Sequence, residues 1–186
     1  PPTTTVRALA EDQDGRIWLG GAGGLTLFDR ERFVTTFTAE NSALPTDTVQ
    51  ALLVDGGNRL WVGTESGLLR IDSDDSTWTV YTTTHGLPSD AIYDLAQLDD
   101  GQMAISTAAG LSLYNGTDFT LESLPIEATN LPLTVDELGR LWAGSAVRTA
   151  DRWQGYYWTN SGLRHSTVSD NAANAGIALG ARPMRP

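Results

Sequence analysis

A six-residue phrase recurs along this chain at near-constant spacing, and it constrains the fold more than any other feature. Gly15-Arg16-Ile17-Trp18-Leu19-Gly20 opens the series, and Asn58-Arg59-Leu60-Trp61-Val62-Gly63 follows 43 residues later. Gly101-Gln102-Met103-Ala104-Ile105-Ser106 comes another 43 residues on, with alanine in the tryptophan place. Gly139-Arg140-Leu141-Trp142-Ala143-Gly144 comes 38 residues after that. The flanks keep the same register: Val6, Val49 and Ile92 upstream, then Gly24-Leu25, Gly67-Leu68 and Gly110-Leu111 six residues past the anchor. Leu44-Pro45-Thr46-Asp47, Leu87-Pro88-Ser89-Asp90 and, more weakly, Leu124-Pro125 mark the joins.

Each copy reads as four short strands. In the second copy they fall at Gln50–Asp55, Arg59–Gly63, Leu68–Asp72 and Thr77–Thr82. They are rich in β-branched, leucine and aromatic residues, and Gly, Asp, Asn and Ser clusters separate them. Asp14-Gly15, Gly57-Asn58 and Asp100-Gly101 suit hairpin turns, where a positive φ favours Gly or Asn. Apolar spacing of 3.6 residues is missing, so helix should be minor. Four strands per roughly 40–45 residues is the period of a β-propeller blade. We therefore expect an all-β propeller arc with blades near 6–48, 49–91, 92–129 and 130–167, and a degenerate fifth repeat with a tail over 168–186. An open arc leaves strand edges unpaired. Three closures stay open: a piece of a larger ring, which we expect, two chains sharing one ring, and a four-bladed ring with a tail.

The pattern Val-x-Ala-Leu-x-x-Asp-x-x-Gly-x-Ile-Trp-x-Gly, followed by Gly-Leu, Asp, an aromatic and Gly-Leu-Pro, resembles the two-component regulator propeller repeat. Val6–Asp29 and Val49–Asp72 carry the likeness closely, and His85-Gly86-Leu87-Pro88 matches its joining turn. It extends over roughly residues 1–165. Copies three and four depart from it: Ala104 and Ser106 replace Trp and Gly, and Arg148-Thr149 stands where Gly-Leu is expected. Those departures predict distorted blades. The resemblance implies a seven-bladed propeller, often doubled, in the extracytoplasmic sensor region of bacterial hybrid histidine kinases and related signalling proteins. Some such proteins resemble glycan sensors and others are cell-surface binding modules.

Composition removes several function classes. The net charge is −11, with 12 basic against 23 acidic residues. That opposes duplex nucleic acid, whose phosphates need clustered cations, and an anionic membrane surface. There is no cysteine, so disulfides, thiolate metal sites and cysteine nucleophiles are excluded. No apolar run approaches the ~20 residues of a membrane-spanning helix, so this segment is not expected to insert. No phosphate-binding loop, zinc-binding histidine pair or nucleophile elbow is present.

Candidate chemistry is sparse. His85 and His165 both read as joining-loop residues, where a general base could sit. Polar turn positions are the plainer reading. Asp12-Gln13-Asp14-Gly15 and Asp72-Ser73-Asp74-Asp75 cluster oxygens as a Ca2+ site would, but lack the full twelve-residue loop. Asn115-Gly116-Thr117 fits a glycosylation sequon and, equally, a turn. Trp18, Trp61 and Trp142 recur at one strand position and should pack between blades. Trp153, Tyr157 and Trp158 break the repeat and offer stacking surfaces for a glycan or a protein partner. Propeller ligands usually meet one loop face. Strand order assigns to it the second-to-third-strand turns and the joins, with Glu65, His85, Asp90, Arg148, Asn160 and His165 as the ligand-facing candidates. We assign no catalytic residue, metal or cofactor. The expected function is a non-enzymatic sensory or ligand-binding propeller segment, extracytoplasmic if the resemblance holds. Its partner would be a small molecule, a glycan or another protein, with a homodimer as one arrangement. A structural or protein-docking propeller subunit is the alternative. A streptogramin-lyase-like enzyme is the remote one, since fold alone does not assign function.

Overall fold

A computed structural model describes residues 5–29, 32–124, 129–149, 152–159 and 162–169, the part from 157 onward by backbone alone. Four antiparallel sheets follow one another along the chain, each in simple sequential strand order. The first holds β1 (Val6–Glu11), β2 (Arg16–Gly21), β3 (Gly24–Asp29) and β4 (Arg32–Phe37). The second holds β5 (Val49–Val54), β6 (Leu60–Thr64), β7 (Gly67–Ile71) and β8 (Trp78–Tyr81). In the third are β9 (Ile92–Gln97), β10 (Met103–Thr107), β11 (Gly110–Tyr114) and β12 (Phe119–Leu121). The fourth has five strands: β13 (Leu133–Val135), β14 (Leu141–Ala143), β15 (Ala146–Thr149), β16 (Arg152–Thr159) and β17 (Gly162–Ser169). A single 3-10 turn, Thr83–His85, is the one helical element among the described residues.

This is the propeller arc that the repeat predicts, and the second copy's strands fall within a residue or so of their expected bounds. Two expectations need correcting. Val168, read as the start of a fifth repeat, lies in β17, which pairs with β16 as an extra outer strand of the fourth sheet. Residues 170–186 lie outside the described residues. The third sheet, expected to be distorted, is a regular four-stranded sheet, whereas the fourth is irregular, with inner strands of three residues each.

The turns between first and second strands share one construction. The nitrogen of Asp12, Asp55, Leu98 or Asp136 donates to the carbonyl of the residue four ahead. The residue before that carbonyl is Gly15, Asn58, Gly101 or Gly139, all at positive φ. This left-handed position is costly for other L-residues, which accounts for Gly or Asn in all four copies.

Sheet meets sheet through a knob and a glycine. A Cβ placed on Gly63 would lie 2.8 Å from Ile92 Cγ2, and one on Gly20 would overlap Val49. The first residue of each inner strand therefore seats where the preceding sheet has no side chain. Around these contacts three apolar cores form, one per junction. Trp18, Val49, Val62 and Ile71 occupy the first, and Trp61, Ile92, Ile105 and Tyr114 the second. Leu111, Leu141, Ala146 and Trp153 occupy the third.

Candidate functional site

A carboxylate, buried in the first two sheets and half-buried in the fourth, organises one end of three of the four sheets. Asp12 Oδ1 accepts from the Arg16 backbone N–H at 2.9 Å, and its Oδ2 accepts from Arg16 Nε at 2.7 Å and Trp18 Nε1 at 3.0 Å. Asp55 repeats this with Arg59 and Trp61, and Asp136 with Arg140 and Trp142. Burial works to raise the Asp12 and Asp55 pKa values, but the hydrogen bonds from indole, backbone and guanidinium outweigh it and hold both below the ordinary carboxylate value. At Asp136 the Arg140 and Trp142 hydrogen bonds do the same. Arg16 also reaches across the first junction to Asp75 of the β7–β8 turn, which raises the Arg16 pKa further.

These contacts use up the acidic clusters singled out in the sequence. Both oxygens of Asp12 are engaged as above. Asp72 pairs with Arg70 at 2.8 Å, and Asp74 accepts from the Ser76 backbone and hydroxyl. Asn115 Oδ1 accepts from the Thr117 and Asp118 nitrogens, so the sequon forms a turn.

The third sheet has lost the whole arrangement at once. Leu98, Gln102 and Ala104 stand at the three positions. A carboxylate left without its donors would be a buried unpaired charge, so the three residues change together. At the third junction a cleft of about 320 Å³ opens at this end, lined by Leu98, Asp100, Leu138, Arg140, Arg148 and Thr149 among others.

The ligand-face candidates separate in space. Glu65 lies in the β6–β7 turn and accepts from Gln50 Nε2, while Gln50 Oε1 accepts from Arg7 across the first junction. His85 closes the 3-10 turn, its Nδ1 accepting from the Thr82 N–H at 3.1 Å. Asp90 caps that turn through the Thr83 N–H at 2.6 Å. These three share the face of turns and joins. Arg148 does not. It lies near the far end of β15, paired with Trp153 of β16, at the opposite end of the sheet. The cause is a shortened hairpin: Trp61 pairs with a residue nine positions on, Trp142 with one only five positions on, across a two-residue turn in both cases. Counting six residues past Trp142 therefore overshoots the turn.

His165 lies in strand β17, opposite Tyr156, and not in a join. Its side chain, and those of Tyr157 and Trp158, lie outside the described residues, as does Asn160 altogether. Trp153 is no surface platform: it is 1% exposed in the third core, and its Nε1 donates to Glu122. Trp18 and Trp61 pack between sheets as expected, while Trp142 is half-buried and stacks on Tyr156. The sequence reading missed the Asp–Arg–Trp grouping. Its signal was present as an aspartate six residues before each anchor tryptophan, lost where the tryptophan is lost.

By its architecture the molecule is a β-propeller arc. Residues 1–23 and 43–66 match the family described as two component regulator propeller, so the chain carries the repeat that its sequence resembles. No curated protein matches it by sequence. Among solved structures it is similar to the extracellular domain of a putative hybrid two component system from B. thetaiotaomicron. The TM-score there is 0.68 at 23% identity, over 75% of this chain and 20% of that one. It is also similar to virginiamycin B lyase from Staphylococcus aureus, with a TM-score of 0.62 at 15% identity over 90% of this chain and 57% of that one. PorZ, a surface component of the type-IX secretion system of Porphyromonas gingivalis, gives a TM-score of 0.51 at 20% identity over 88% and 30%. The chain thus spans from a fifth to under three fifths of the length of these proteins, and the likeness at such identities is one of fold.

Proposed function

We propose that this chain is a non-enzymatic, ligand-binding propeller segment of a two-component-type signalling protein, working outside the cytoplasm. The match of residues 1–23 and 43–66 to the regulator propeller repeat carries this reading. The similarity to the extracellular domain of a putative hybrid two component system supports the compartment. The ligand would meet the face of turns and joins that holds Glu65, His85 and Asp90. Binding would act by shifting how neighbouring sheets pack, with the signal read by another domain. The occupation of His85 Nδ1 by a turn hydrogen bond speaks against its use as a general base.

Thermal unfolding of the 186-residue chain against a panel of oligosaccharides, with product analysis by mass spectrometry, tests the reading. A saturable upward shift in Tm with the ligand recovered intact is expected. Turnover of a streptogramin in the same assay would overturn it in favour of a lyase-like activity. A docking role is favoured by one observation, the exposed apolar face of the first sheet at Val6, Leu9 and Phe33. Stable stoichiometric capture of one protein with no oligosaccharide response would select it.

A further inference from the structure

We propose that the cleft between the third and fourth sheets binds a small carboxylate that carries an apolar body. This site lies at the opposite end of the sheets from the face of turns and joins, and its existence does not depend on a sensory role.

The argument is a comparison of equivalent positions. At the first two junctions the leading sheet supplies an indole, Trp18 or Trp61, and the following sheet answers with an apolar or aromatic side chain, Ile71 or Tyr114. Both of those answering residues are buried. At the third junction the indole position is Ala104, and the answering position is Arg148. The register fixes that equivalence: Ile71 pairs with Trp78, Tyr114 with Phe119 and Arg148 with Trp153. The leading sheet lacks the ring and packs Ala104 with Trp153 in the third core, while it meets the cleft through Leu98 and Asp100, opposite the cation on the following sheet.

The Arg148 side chain has no hydrogen bond or ion pair among the described residues, while its backbone pairs with Trp153 in the β15–β16 ladder. Of the other arginines at this end, Arg16, Arg59, Arg70 and Arg140 each hold an aspartate. Arg148 is partly exposed at the cleft, and its guanidinium has five donors and no acceptor of its own, so it is open to an anion arriving from solvent. The cleft's own acids do not supply one. Asp136 is taken by Arg140, and Asp100 accepts from the Gln102 backbone and side chain.

The lining selects the kind of anion. Leu98, Leu138 and Leu141 form an apolar wall, and Leu138 is 75% exposed at the rim. Asp99 packs against Gly139 beside the cleft. With Asp100 it disfavours a dianion, and the chain's net charge of −11 acts in the same sense. A planar monoanion that takes the guanidinium fork in bidentate fashion fits better than phosphate. The volume of about 320 Å³ leaves room for a chain or ring of several carbons against the leucines.

All 12 basic residues are arginine, so the arginine Nε–Hε region of a 15N-labelled sample is sparse and free of lysine complications. Titration of the 186-residue chain with sodium hexanoate should move one such resonance saturably, and that resonance should be missing in Arg148→Gln. The variant should bind hexanoate about tenfold more weakly or worse, the usual worth of one charge-assisted contact. Leu138→Asp, at an exposed rim position, should weaken binding with an unchanged amide spectrum, so misfolding of the first variant cannot mimic the result. The proposal is overturned if no arginine resonance saturates by about 20 mM hexanoate, beyond the millimolar range of a single such contact. It is equally overturned if inorganic phosphate binds Arg148 as well as hexanoate does, or if both variants bind as the parent does.

Discussion

Asp55 shows how much one side chain can hold. Its carboxylate is almost wholly buried and takes the Trp61 indole, the Arg59 backbone and the Arg59 guanidinium together. Asp55→Asn keeps the shape but turns an acceptor into a donor facing donors, and we expect a loss of about 2–3 kcal/mol in chemical denaturation. The sign of the pH effect follows from the folded-state pKa values of Asp12, Asp55 and Asp136, all held below the ordinary value. Such groups stabilise the fold fully above their unfolded pKa of about 3.9 and lose that contribution as pH falls towards the folded one. Unfolding midpoints should therefore drop below about pH 4, and drop less steeply in Asp55→Asn than in the parent. The sequence alone showed the tryptophans at this scale. That the aspartate six residues earlier carries the indole is legible only from their joint loss in the third copy, because a single carboxylate in a hairpin turn looks the same whether it points to water or back under the strand.

At the scale of the element, strands and turns were largely readable, since alternation and turn residues are local properties. The joins were half readable. Leu-Pro-x-Asp marks the join, and its aspartate has a local structural task that the marker does not show: Asp90, on the face of turns and joins, caps the Thr83–His85 turn. Asp47 does the matching task one sheet earlier, accepting from the Ala39 N–H at 2.7 Å. Recurrence at the repeat period was the available sign that this aspartate is structural. Asp90→Ala should cost about 1 kcal/mol, as lost caps do, and raise amide exchange at Thr83 and His85 without disturbing the sheets. Arg148 and His165 were misplaced for a different reason. A hairpin shortened by four residues after Trp142, and an extra strand that no other sheet has, both shift the counting, and only strand pairing reveals them.

For the whole molecule, the decisive fact is which faces meet. Val6 and Leu9 match Val49 and Leu52 in register, and in the second sheet those residues seat against Gly20 of the first. In the first sheet the same residues are 49% and 62% exposed. Burying such side chains is worth roughly 1.5–3 kcal/mol each, so we expect this face to promote association of the 186-residue chain. Sedimentation velocity should show concentration-dependent oligomers, and Leu9→Asp should shift them towards monomer without lowering Tm; a parent that stays monomeric would refute the expectation. What the sequence determined by itself was the repeat, and through it the strands, the turns and the propeller class. Those follow from local periodicity and backbone preference, which each copy states afresh. Only the tertiary structure decided that Trp153 is buried, that Arg148 faces a cleft in place of an apolar partner, and that three aspartates each hold an indole. Each of these depends on what the neighbouring strand or sheet offers at the same level, and that offer comes from residues distant in the chain.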